Sequence, residues 1–177
     1  MPSNSLPEPW NSFFSEIDAA LSEELELHCL GGFVMTILYG LERPTSDVDV
    51  LPTGSNPATE SLIDLAGEGS KLHKKYKVYL QVVGVASVPE NYEDRLTEMV
   101  PLTFKHLRLL ALDPYDLALS KLERNTQRDR DDVKHVARTV PFDLGLLQER
   151  YQKELRPDLG NPEREDLTLI AEERNKI

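Results

Sequence analysis

Two aspartates, Asp47 and Asp49, stand two residues apart in an otherwise apolar run that includes Val48, Val50 and Leu51. That run predicts a β-strand from Ser46 to Leu51, stopped by Pro52-Thr53-Gly54. Residues two apart on a strand share a face, so both carboxylates would project side by side. Two like charges on a partly buried strand repel each other and are costly unless a cation joins them. Hard oxygen ligands suit Mg²⁺ or Mn²⁺, which keep several waters and take substrate phosphates as further ligands. Two such ions can clamp both the attacking and the leaving oxygen of a phosphoryl transfer. Taken alone, an Asp-x-Asp pair is more often a solvated turn or strand edge.

Position adds weight to the chemical reading. Gly31-Gly32 follows a second alternating stretch, Glu24 to Leu30, in which Leu25, Leu27 and Cys29 alternate with Glu24, Glu26 and His28. Glycines after a strand let backbone N–H groups approach phosphates, helped by the start of the next helix. A turn needs glycine in any case. Together the order is strand, glycine pair, short helix from Phe33 to Tyr39, then the Asp-x-Asp strand. That order makes a phosphate cradle facing a metal pair.

Charge narrows the partners. Against 31 acidic residues there are 20 Lys and Arg, a net charge of -11 over 177 residues. Sequence-independent binding to duplex DNA needs many cations facing phosphates, so duplex DNA is disfavoured. The first 42 residues hold seven acids and no Lys or Arg. Neither a secretory signal nor an Arg-rich transit peptide has that composition. The longest mostly apolar run, Cys29 to Leu41, is too short to cross a bilayer. The expectation is a cytoplasmic protein without a membrane partner. The single cysteine, Cys29, allows no internal disulfide.

The remaining pattern predicts an α/β (α+β) fold: a mixed β-sheet flanked by helices over 1–112, with a helical part over 113–177 packed on it. Trp10, Phe13, Phe14, Ile17 and Leu21 form one helical stripe, read as core or interface. Further expectations are a helix over Ala58–Ala66 and strands over Tyr76–Ala86 and Thr103–Leu110. Asp113-Pro114 is a helix start, and helices over Arg128–Arg138, Phe142–Glu154 and Pro162–Arg174 follow. Cys29 reads as a small buried residue, His28 and His106 as ordinary strand residues, and His73 and His135 as exposed.

At this point the chain resembles a family. Leu30-Gly31-Gly32-Phe33 through Tyr39-Gly40, then Arg43-Pro44-Thr45-Ser46-Asp47-Val48-Asp49-Val50, is similar to the signature of the nucleotidyltransferase (polymerase-β-like) superfamily. The likeness is to its minimal and AbiEii-type toxin members and related uncharacterised families. Lys121-Leu122 followed by Arg128-Asp129-Arg130-Asp131-Asp132 resembles a later segment of the same proteins. The resemblance covers roughly 25–140.

It implies transfer of a nucleoside monophosphate from an NTP to a hydroxyl of RNA, protein or a small molecule. If toxic, such an enzyme would have an antitoxin partner. Asp47 and Asp49 would be catalytic and hold Mg²⁺ (or Mn²⁺). Gly31 and Gly32 would contact the triphosphate, Arg43 and Thr45 would orient the loop or the phosphates, and Lys121 would face the nucleotide. Asp129 and Asp132 would fix their helix pair.

One departure matters. The family usually carries a third carboxylate on the next strand, as metal ligand and general base; here Gln81 occupies that slot. A positioned base contributes about 10²–10⁴-fold in rate. The alternative reading is therefore a catalytically impaired member that binds nucleotide or a protein partner. Lys71, Lys74, Lys75 and Lys77 form a basic run, read either as a phosphate-facing edge or as an ordinary solvated face.

Overall fold

The computed structural model describes residues 4–53, 57–84, 88–122, 124 and 126–159. The chain divides into two compact units, one of residues 1–84 with 97–111 and the other of 85–96 with 112–177.

The first unit is built on a five-stranded mixed sheet of order β3-β2-β1-β5-β4. Its strands are β1 (Leu25–Leu30), β2 (Asp47–Leu51), β3 (Tyr79–Val82), β4 (Thr97–Glu98) and β5 (Leu107–Ala111). β1 lies in the middle, antiparallel to β2 and parallel to β5, and nearly all of it is buried. Beyond it, β2 runs parallel to β3. The helices of this unit are α1 (Trp10–Ala20), α2 (Gly31–Tyr39), α3 (Pro57–Ala66) and α4 (Lys71–Tyr76).

Helix α1 forms because its apolar residues recur at helical spacing, and Trp10, Phe13, Phe14 and Ile17 are all buried. The Trp10 ring meets Phe33 of α2 at 4.8 Å between centroids, edge to face. These four residues of the stripe are thus core, while Leu21 caps the helix end and is half-buried. On the other side of α1, Asp18 accepts hydrogen bonds from the backbone N–H groups of Lys105, His106 and Leu107 at 3.0, 2.7 and 2.8 Å. This clamp explains why β5 begins at Leu107 and not at the expected Thr103: the preceding donors point at a side chain, not at a neighbouring strand.

Two other expectations are corrected here. The glycine pair is not a turn before a helix at Phe33; α2 begins at Gly31 itself. Leu30 is still extended, and Gly31 turns the chain with φ +76°. The strand expected over Tyr76–Ala86 shrinks to β3, and α4 takes its first residue. Ser70 caps α4 by accepting from the His73 N–H, and Lys77 ends it in the left-handed region at φ 63°. A strand cannot start until the chain has left that turn; its expected end, 85–86, lies outside the described residues. The short β4 was not anticipated.

In the second unit, α5 (Pro114–Leu119) starts as expected, with Asp113 accepting from the Asp116 N–H and proline in the first turn. Helix α6 (Gln127–Thr139) opens with a capping box between Thr126 and Asp129. Where one helix was expected over Phe142–Glu154, α7 (Leu144–Arg150) passes into a π-helical turn, Tyr151–Leu155. That turn points Tyr151 and Leu155 into a core with Leu119, Leu122, Leu147 and Leu159. Beside it, Arg95 binds Asp116 at 2.9 Å and Glu154 at 2.8 Å, while Arg150 binds Asp113 at 2.6 Å. The helix expected over Pro162–Arg174 lies outside the described residues.

Candidate active site

The strand β2 presents its residues as expected. Val48, Val50 and Leu51 are buried, while Asp47 and Asp49 are half-buried and share the opposite face from Val48 and Val50. The pleat therefore turns Val48 and Val50 into the core and leaves both carboxylates on the other, more accessible face, where Leu51 is buried at the strand's end.

The glycine pair packs against this surface. A Cβ on Gly31 would run into the Asp49 Oδ2 oxygen and stand 3.3 Å from its Cγ. A Cβ on Gly32 would stand 3.4 Å from Thr45 Oγ1. Both positions thus keep the start of α2 within reach of the carboxylate strand. The first N–H groups of a helix have no partners inside it and bind anions readily. Thr45, in the loop leading into β2, donates to Asp47 Oδ1 and to the Asp47 carbonyl oxygen, each at 3.3 Å. Its hydroxyl thereby fixes the first carboxylate relative to the loop. Arg43 lies half-buried in the same loop.

On the other flank of β2 the parallel register pairs Asp47 with Tyr79 and Asp49 with Gln81. Paired residues share a face, so Gln81 stands directly beside Asp49 on the carboxylate surface. The ring of Tyr79 packs on His73, whose Nδ1 accepts the Gly69 N–H at 2.8 Å. His73 is therefore half-buried, not exposed as expected. Partial burial, with the charges of Asp47, Glu68 and Asp49, raises the Tyr79 phenol above its ordinary range. Tyr79 and Glu68 carry no motif in the sequence; the fold of 67–79 brings them to the site.

Cys29 lies one residue before Leu30 and is fully buried. Burial, and then the Asp49 charge, push its thiol up to about 12. A thiol held protonated is a poor nucleophile, which agrees with its reading as a small core residue.

The donor set fits a hard divalent cation. Asp47 and Asp49 offer carboxylate oxygens on one accessible face, beside a backbone cradle that a side chain would fill. Among the described residues no group of three or more His, Cys, Asp or Glu is arranged around a metal position. Mg²⁺ is compatible with two carboxylates, because waters and phosphates complete its shell.

Lys121 belongs to the second unit. It is buried there, with its ammonium 3.2 Å from Asp132 Oδ2 and 3.5 Å from Asp129 Oδ1. Burial opposes ionisation of Asp129, but hydrogen bonds from Arg124 and Thr126 overcome it and hold the carboxyl well below its usual range. Lys71, Lys74 and Lys77 are exposed, and Lys75 pairs with Glu16.

A family described as "nucleotidyltransferase of unknown function (DUF6036)" matches residues 11–174. The chain belongs to that family. The match spans both the glycine–aspartate block and the helices behind it, and it supports a general nucleotidyltransferase role. No curated protein and no solved structure matches the chain. No helix among the described residues is long and apolar enough to cross a membrane.

Proposed function

We propose that this nucleotidyltransferase-family protein transfers a nucleoside monophosphate from an NTP to a hydroxyl, with Mg²⁺ (or Mn²⁺) held by Asp47 and Asp49. The observation that carries the reading is the packing of Gly31 against the Asp49 carboxylate, with Gly32 against Thr45. On this reading the start of α2 serves as the triphosphate cradle, and the two carboxylates beside it hold the cation. When bound, the cation neutralises the triphosphate and polarises the α-phosphorus toward attack. The chain's own residues do the rest. The N–H groups at the start of α2 hold the phosphates, Thr45 orients Asp47, and Arg43 lends charge to the phosphate side. The acceptor is an RNA end, a protein hydroxyl or a small molecule. A toxin role, paired with an antitoxin in the cytoplasm, belongs to the same proposal; growth arrest on expression, relieved by Asp49→Asn, would support it.

Gln81 favours a second reading. A neutral amide beside Asp49 cannot take a proton, and a member so altered would bind nucleotide without turnover.

The experiment is incubation with each α-labelled NTP and Mg²⁺ or Mn²⁺, with total RNA and cell lysate as acceptors. An Asp47→Asn/Asp49→Asn variant runs beside it. Label entering a macromolecule, and lost in the variant, supports the transferase. Equal labelling by both proteins would overturn the assigned centre. Metal-dependent NTP binding without label anywhere would favour the binding module.

A further inference from the structure

The sheet edge beyond β3 supplies something the Gln81 slot lacks. Gly67 forms a parallel bridge with Leu80. Leu80 in turn pairs with Val48. The pairing ends at that bridge: Glu68 is the next residue, in the turn closed by the Ser70 N–H on the Gly67 carbonyl at 3.1 Å, while Gln81, the residue after Leu80, pairs with Asp49. The bridge therefore brings a carboxylate-bearing turn to the β3 edge of the sheet, on the side of β3 away from Asp49. Glu68 is exposed, and its charge reaches the Tyr79 phenol together with those of Asp47 and Asp49. At about 4.8 Å per strand step, the Gly67 backbone stands roughly 10 Å from that of Val48, which leaves room for a substrate hydroxyl between Asp49 and Glu68.

The direction of reaction gives the gap a use. Displacement at phosphorus runs in line, with the attacking and leaving oxygens on opposite sides. The glycines that take the triphosphate lie on the β1–α2 side of Asp49. The attacking hydroxyl then approaches from the β3 side, where Gln81, Tyr79 and Glu68 stand. We propose that Glu68 is the general base of the transfer, acting from the sheet edge where the family's third carboxylate is missing. This rests on the transferase reading above. In the step, the acceptor oxygen bonds to the α-phosphorus as the bond to pyrophosphate breaks. The hydroxyl proton passes to the Glu68 carboxylate and from there to water.

The test compares wild type, Glu68→Gln, and Glu68→Gln/Gln81→Glu. Each is measured for label transfer from the four α-labelled NTPs with Mg²⁺ to total RNA and lysate, and for calorimetric binding of the same NTPs. The expected result is a fall of about 10²-fold or more in transfer by Glu68→Gln, with NTP binding unchanged. The double variant, which moves the carboxylate one strand inward, should recover part of the rate. Transfer by Glu68→Gln at the wild-type rate would overturn the proposal while leaving the transferase reading intact. Loss of NTP binding in Glu68→Gln would overturn it as well, by making Glu68 a binding or structural residue. Absence of transfer by wild type itself would sink the parent reading, and this one with it.

Discussion

Gly31 shows how closely one residue can tie backbone to chemistry. It sits at φ +76°, where only glycine is at ease, and its missing side chain leaves the space that Asp49 Oδ2 fills. Gly31→Ala should therefore cost about 1–3 kcal/mol from backbone strain alone and displace Asp49. Urea unfolding with calorimetry on the same variant should show both the lower stability and weakened Mg²⁺–NTP binding. A fully stable variant that binds normally would contradict the cradle. The spatial closeness of Gly31 and Asp49 was legible in the sequence through its order of strand, glycine pair and Asp-x-Asp. Its conformation was not, because a glycine pair reads equally as a turn or as a helix start. Glu68 and Tyr79 were illegible for another reason: nothing local marks them, and their place depends on a bridge between Gly67 and Leu80.

At the scale of elements, capping and clamping decide where each piece begins. Asp129 closes the capping box of α6 and also accepts from Arg124 at 2.8 and 2.6 Å. Asp129→Asn should destabilise the protein by about 1–2 kcal/mol near neutrality. The folded carboxyl titrates lower than an unfolded one, so its contribution is present above about pH 4 and is lost as pH falls below that. Urea unfolding of both proteins should show their difference shrinking on the acid side; a difference that grows there would contradict the account. Asp18 is the counterpart on α1. Burial would raise its carboxyl, but three backbone donors hold it below its ordinary range. Asp18→Ala leaves those donors without it and should cost about 2–3 kcal/mol, read as a lowered urea midpoint. Elements with strong local signals were legible: β2 from its composition and α5 from Asp113-Pro114. Those set by distant partners were not. β5 waits for the Asp18 clamp, and β3 starts late because α4 takes Tyr76 and ends in the left-handed turn at Lys77.

Over the whole molecule, the division of labour follows chain order only in part. Residues 85–96 leave the sheet-bearing unit and join the helical one, where Arg95 links Asp116 and Glu154. A linear reading could not see that excursion, since it rests on ion pairs made more than twenty residues along the chain. The sheet order was equally out of reach, yet it decides what flanks the two aspartates, because β2 lies between β1, which feeds the glycines, and β3, which carries Tyr79 and Gln81. The central claim is that Asp47 and Asp49 form, with the glycine cradle, a metal-dependent nucleotide site. The most direct measurement needs no knowledge of the acceptor: calorimetric titration of ATP, CTP, GTP and UTP into wild type and Asp49→Asn, with Mg²⁺ and with chelator. The account predicts that at least one NTP binds wild type when Mg²⁺ is present, and that binding is lost both with chelator and in Asp49→Asn. Binding that survives the substitution and the removal of metal would contradict it.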